Sequence, residues 1–460
     1  MSIPGLGQLP IKANTSTVRQ TTTLYPYWEW RFEVSHSDSL SVRITSGIAD
    51  RDGTELALNK WYRFTGTRSK ISTARGCTLE FEGACDRQRV VELTPESSAS
   101  NLYMNLHFLL DRLRHEARNG RSLATGPRLM VVGPDSVGKS TLARTLTAYA
   151  VKAGFQPIVV NTSPREGMLP LPGTLTAATF ATMMNIESEG TGAWAGTPTS
   201  GPAEVQPKLP LVFFYGHEHA TDDLQLYKDV ASRLAGAVTS RMSEDKDAKP
   251  AGLIIDTPGV SLEGDAGSKE LDLVQHIVEE FSVNMLLVLG SQSVEDTLKK
   301  KFHGEKTSLG DVINVVGLEK PDGVVTNDPA WLLACQHAAI KEYFYGDSKT
   351  SLSAPKQMVD FDAVTIFRVP EPTGTSNEYR TLERIEPSPA LTHWTMPVMD
   401  AKMNESHEAI RTATVHGFVY IADVNKDRRK ISVLGPASGR DPQKPLLLGS
   451  WPEQYINLVG

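Results

Sequence analysis

The sequence predicts an α/β protein whose centre is a P-loop NTPase domain with a mainly parallel sheet, flanked by an N-terminal all-β domain and a small C-terminal β-rich α+β domain. Three observations carry that expectation. From Arg128 to about Gly346, apolar runs alternate with amphipathic stretches, the pattern of a parallel sheet covered by helices on both faces. The run VVGPDSVGKSTL at residues 131–142 puts a glycine-containing loop at the junction of the first such strand and helix. On either side of this region, short segments rich in β-branched and aromatic residues are separated by Gly and Asp turns, as in small β-rich units.

The chain has 460 residues, more than one ordinary core accommodates, so two or three domains are expected. Hydrophobic residues make up 40% and charged residues 22%, the balance of a globular protein in water rather than of a disordered or membrane-embedded chain. No apolar run approaches the roughly 18 residues that would span a bilayer. The opening MSIPGLGQLP lacks the basic start and apolar middle of a signal peptide, so no membrane contact and an intracellular location are expected. The three cysteines, Cys77, Cys85 and Cys335, show no metal-ligand spacing and fit a reducing compartment. A net charge of −7 argues against a surface that coats nucleic acid, although a local basic groove is compatible with it.

In chain order, WEWRFEV, LSVRITSG, WYRFTG and RQRVVEL read as strands of an N-terminal domain covering residues 1–100. Leu102, Leu106, Leu109, Leu110 and Leu113 then recur at helical spacing, so residues 101–127 form a linking helix that Gly126 and Pro127 punctuate. Within the central domain, residues 128–348, the strands are RLMVVG, PIVVNT, LVFFYG, AGLIID, NMLLVLG and VINVVGL. Its helices include STLARTLTAYAVKAG, LYKDVASRLAGAVTSRM, KELDLVQHIVEEFS and PAWLLACQHAAIKEYF. ESEGTGAWAGTPTSGPAEVQPK is a loop by composition. AVTIFRV, VHGFVYIADV and RKISVLGPASGR place a third domain at residues 349–460.

The loop Gly133-Pro134-Asp135-Ser136-Val137-Gly138-Lys139-Ser140-Thr141 fits G-x-x-x-x-G-K-[ST]. Glycines let successive backbone N–H groups turn inward onto phosphate oxygens, and the helix N-terminus adds its partial positive charge. In such a loop Lys139 reaches the β- and γ-phosphates and the Ser140 hydroxyl binds Mg²⁺. Asp256-Thr257-Pro258-Gly259, at a strand end, is a D-x-x-G of the kind that GTPases use to hold Mg²⁺-bound water, which makes Asp256 a second metal candidate. Guanine recognition would need Asn-Lys-x-Asp, yet Asn59-Lys60 leads into Trp61-Tyr62 and Asn425-Lys426 into Asp427-Arg428.

VVGPDSVGKSTLARTLTAYAVKAG, LPLPGTLTA, LQLYKDVASRL, GLIIDTPGV, IKEYFYG and GFVYIADVNKDRRKISVL closely resemble the eukaryotic Clp-one family. That family comprises polynucleotide 5′-hydroxyl kinases and the ATP-binding subunit of the pre-mRNA cleavage factor. The likeness runs in order along nearly the whole chain, and the DTP form at Asp256-Thr257-Pro258 looks like the fungal members, which serve in 3′-end processing. The resemblance implies a nuclear ATP-binding protein whose N-terminal domain folds over the adenine. It implies that Glu29 accepts from the adenine amino group, with Arg68 or Lys70 as the second contact. The implied partners are the cleavage-factor scaffold subunit that binds the polymerase II C-terminal domain and other cleavage and polyadenylation subunits, with weak RNA contact at most.

Active members of the family carry an Asp at the end of the second strand, and here that position falls on Ser163, with Glu166 at a following Gln position. Serine cannot supply the carboxylate that accepts the proton of an attacking hydroxyl; losing a general base costs ~10²- to 10⁴-fold in rate. Val260 stands where active members place a base-clamping tryptophan. Gln336 and Lys341 stand where the lid helix carries two arginines, which stabilise charge on a transferred phosphoryl group. The expectation is therefore an ATP-holding scaffold without catalytic residues, the alternative being an active ATP-dependent RNA 5′-hydroxyl kinase. The His217-Glu218-His219 cluster lacks an evident third ligand for a metal.

Overall fold

The computed structural model describes residues 18–120, 125–169, 171–189, 194, 207–347, 349–370, 381–435 and 444–459. The opening MSIPGLGQLP, most of the Gly- and Thr-rich stretch after Glu189, and the PASGR run lie outside the described residues.

In the N-terminal domain two five-stranded sheets face one another, in the orders Gln20–Leu24, Cys77–Gly83, Leu40–Gly47, Tyr62–Thr65, Ser188–Glu189 and Thr54–Glu55, Asp50–Arg51, Thr67–Ser72, Glu29–Val34, Arg87–Val91. Period-2 alternation drives this packing: Trp30, Phe32 and Val34 point into a core with Val42, Ile44, Phe64 and Leu79, while Glu29, Arg31 and Glu33 share the other face. One strand comes from far along the chain. Ser188–Glu189 pairs in parallel with Tyr62–Thr65, and Ile186 enters the N-terminal core, so a segment beyond the phosphate loop is stitched into the first domain.

The linking helix, Ala99–Arg118, buries Tyr103, Leu106 and Leu110 in the central core. The central sheet has the order Lys208–Phe214, Thr174–Thr179, Ile158–Asn161, Leu253–Asp256, Arg128–Val132, Met285–Leu289, Asn314–Leu318. The last five of these are parallel, and Thr174–Thr179 runs antiparallel to both its neighbours. That antiparallel strand has no match among the strands read from the sequence. Its TLTAAT text is small and semi-polar, yet every residue is buried, because flanking strands rather than its own hydrophobicity hold it. Gln292–Phe302 adds a helix with Ser291 accepting from the Val294 N–H as its cap. Its sequence offers just Val294, Leu298 and Phe302 as an apolar stripe.

The C-terminal sheet has the order Lys356–Asp360, Lys430–Leu434, Val415–Asn425, Thr395–Met399, Leu446–Leu448, Ile366–Arg368, Glu383–Ile385. Tyr343 and Phe344, near the end of the helix Pro329–Tyr345, are fully buried. Tyr343 Oη accepts from the Phe418 N–H at 3.0 Å, which anchors this helix to the C-terminal sheet. No helix among the described residues is long and apolar enough to cross a membrane.

Candidate functional site: a nucleotide cavity between domains

The ends of the parallel strands open onto a cavity of about 720 Å³ walled by all the elements that the phosphate-loop argument singled out, and by several that it did not. Ligands of open α/β sheets bind at this end of the strands. The loop between Arg128–Val132 and the helix Lys139–Lys152 forms its floor. Gly133 has φ 152° and a Cβ there would lie 2.3 Å from the Leu289 carbonyl oxygen, so the close turn out of the strand requires glycine. Ser136, at the loop apex, takes φ 54°, a left-handed conformation that a non-glycine residue holds at some cost. Asp135, Ser136, Gly138, Lys139, Ser140 and Thr141 line the cavity, whereas the Val137 side chain turns back into the core.

Lys139 is buried, and its Nζ donates to the Pro134 carbonyl at 2.8 Å. Burial pushes its pKa down, against the opposing pull of Asp256, Asp135 and Glu166. Asp256, 6% exposed, accepts from the Ser140 hydroxyl, and desolvation raises its carboxyl to about 6 despite that bond and the nearby Lys139. Its Oδ1 has no partner among the described residues. An orphaned buried carboxylate oxygen beside a hydroxyl is the hard-oxygen donor set that Mg²⁺ takes in combination with phosphates and waters; Ser140 and Asp256 thus fit the ion. Thr257 is occupied in holding the turn, donating to the Val131 carbonyl at 2.7 Å.

The N-terminal sheet forms the roof. Glu29 is buried and does not itself line the cavity. Lys70 Nζ reaches its Oε2 at 2.6 Å, and the Arg31 guanidinium reaches its Oε1. Arg68 also lines the cavity, beside Glu33 rather than Glu29: its Nε donates to Glu33 at 2.9 Å, and its guanidinium sits 3.9 Å from the Trp331 ring centroid. Of the two candidates for the second base contact, both of which line the cavity, Lys70 is the one paired with Glu29. Arg51 and Arg144, which the sequence did not single out, line the inner end of the cavity with Asp52.

Ser163 lines the cavity, with its N–H bonded to Asn161 Oδ1 at 3.0 Å. Asn161 closes this turn by donating to the Ser163 and Glu166 carbonyls. Glu166 puts a carboxylate into the cavity near Lys139; desolvation raises its pKa, against the pull of Lys139 and a hydrogen bond from Asn327. Asn327 itself carried no sequence signal. Val260 is buried, its N–H bonded to the Gly133 carbonyl. Gln336 faces the cavity and Lys341 is exposed on the outside of its helix. His217 bonds Ser450 at 3.1 Å and Glu218 pairs with Arg165 at 2.9 Å, which accounts for two members of that cluster.

Fold and site together define a three-domain P-loop nucleotide-binding protein that roofs its cavity with its own N-terminal sheet. Family models agree in all three parts. Residues 23–117 match the N-terminal beta-sandwich domain of polyadenylation factor, residues 133–346 the P-loop of mRNA cleavage and polyadenylation factor CLP1, and residues 352–453 the pre-mRNA cleavage complex II protein Clp1. Over its full length the chain is 45% identical to mRNA cleavage and polyadenylation factor CLP1 of Pyricularia oryzae and 43% identical to that of Botryotinia fuckeliana, covering 100% of each. The solved wild-type Clp1p-Pcf11p complex superposes with a TM-score of 0.83 at 28% identity, over 94% of this chain and 97% of that one. A second solved structure, described as an extended interface between Pcf11p and Clp1p and the structural basis for ATP loss in a point mutant, has the same TM-score at 27% identity, over 94% of this chain and 98% of that one. The chain belongs to the family of mRNA cleavage and polyadenylation factor CLP1.

Proposed function

We propose that this protein is a nuclear, ATP-loaded scaffold subunit of the pre-mRNA 3′-end cleavage and polyadenylation machinery, with ATP and Mg²⁺ held as structural cofactors and no kinase chemistry. The reading rests on one contrast: the phosphate cradle from Gly133 to Thr141 is complete, while the position that the family resemblance aligns with the catalytic acid carries Ser163. Ser140 and Asp256 would hold Mg²⁺, whose charge would neutralise the phosphates; Lys139 and the loop N–H groups would orient them. Lys70, which lines the cavity, would meet the base, with Glu29 paired behind it. Denaturing the purified protein and chromatographing the released nucleotide tests this. The expected result is one equivalent of ATP; empty protein, or mainly ADP after storage, overturns it.

The partner follows from the relatives, whose solved form is a complex with Pcf11p. An equivalent scaffold subunit, one that also binds the polymerase II C-terminal domain and recruits other processing subunits, would dock as an extended segment on the ATP-ordered central domain. By linkage its affinity falls when ATP is absent. Titrating such a segment against wild type and Lys139→Ala with Ser140→Ala decides the point, equal affinities refuting the coupling.

Glu166 favours a second reading, an RNA 5′-hydroxyl kinase, because it places a carboxylate in the cavity three residues beyond Ser163. Transfer of labelled phosphate from ATP to a 5′-hydroxyl RNA that disappears in Glu166→Gln would establish it.

A further inference from the structure

Residues 319–336, the loop and first helical turns that close the cavity, are clasped by the N-terminal domain at several points. Arg31 Nη1 lies 3.3 Å from Asp322 Oδ2. Gly323, with φ 84°, passes so close beneath Arg31 that a Cβ would meet the guanidinium at 2.1 Å. Arg68 donates to the Thr326 carbonyl and to Asn327 Oδ1, both at 3.4 Å, pairs with Asp328 at 3.4 Å and covers the Trp331 ring. His36 packs edge-on against that ring at 4.7 Å.

Asn327 joins this clasp to the floor of the site. Its side-chain oxygen accepts from Arg68 of the roof. The Glu166 carboxylate is its partner on the second-strand loop. Its backbone N–H donates at 3.3 Å to Oγ of Ser136, the strained apex of the phosphate loop. One residue thus ties together three walls that share no chain continuity.

We propose that Asn327 and Arg68 form a latch that locks nucleotide in the cavity, so that ATP leaves only when the closing loop and the N-terminal domain part together. The inference rests on the reading that the cavity holds ATP. Arg68 acts through the loop as a positioning residue, and the Ser136 bond makes loop closure sensitive to the state of the phosphate loop. Breaking a tie that includes charge-assisted hydrogen bonds should speed release by about tenfold or more. Because both side chains belong to one tie, removing the second after the first should add little.

The test loads the full chain with a fluorescent ATP analogue and Mg²⁺ and chases with excess ATP. Asn327→Ala and Arg68→Ala should each release at least about tenfold faster than wild type, with the double variant close to the faster single. Asp322→Asn, at a side chain 79% exposed, is a variant with little bearing on folding and should speed release by a smaller factor; thermal melting of each variant verifies the fold. Release at the wild-type rate in both alanine variants overturns the latch while leaving ATP retention standing, as do effects that multiply in the double variant. Failure of wild type to take up the analogue removes the ATP reading and the latch with it.

Discussion

Lys70 Nζ and Glu29 Oε2 stand 2.6 Å apart across two paired strands of the N-terminal sheet, with Arg31 on the other carboxylate oxygen. Two cations hold one buried carboxylate in a single orientation under the roof of the cavity. Glu29→Ala would take the carboxylate from Lys70 and leave Arg31 with Asp322 alone, and ATP affinity should fall by about tenfold, the scale of one hydrogen bond to a charged group. Titration calorimetry with ATP measures it, and an unaltered dissociation constant would place the base elsewhere.

A ligand bound only to the native state at ~100 times its dissociation constant adds ~2.7 kcal/mol. Lys139→Ala with Ser140→Ala removes the side chain that reaches the phosphates and a metal ligand, so the melting temperature should drop by several degrees. The same melting curve in a nucleotide-free variant would show that ATP does not staple the domains.

Ser163→Asp restores a carboxylate at the end of the second strand but leaves Val260 and Gln336 in place. Phosphoryl transfer depends on positioning and charge stabilisation together, so transfer to a 5′-hydroxyl RNA should stay at background in this variant. Transfer at the rate of an active kinase would mean that the serine alone silences the site.

Asp50 gives a pH signature. Burial lifts its carboxyl from 3.8 to about 6, against hydrogen bonds from the Gly53 N–H and Ser72. The raised value means that the folded state binds the proton more tightly. This contribution to stability is full below pH 3.8 and is lost as pH rises through about 6. Asp50→Asn should therefore gain on wild type as pH goes from 4 to 6.5, by on the order of 1–2 kcal/mol once solvent around the partly exposed side chain is allowed for. Denaturant melts across that range check it, and a constant difference would contradict the assignment.

The sequence alone determined the phosphate loop, the metal candidates Ser140 and Asp256, the alternation that makes the central sheet and the absence of an acid at 163. These are properties of contiguous text: nine residues set the loop chemistry, and side-chain periods of two and 3.6 are written locally. Tertiary structure decided the rest. Thr174–Thr179 became a buried strand because its neighbours on both sides pair with it. Arg68 was assigned to the closing loop because Trp331 and Asp328 lie opposite it, and Asn327 acquired its place by meeting Ser136 and Arg68, 191 and 259 positions away in the chain. Pairings over such separations are fixed by how domains pack, and a polar residue in a loop carries no period from which its partners could be read.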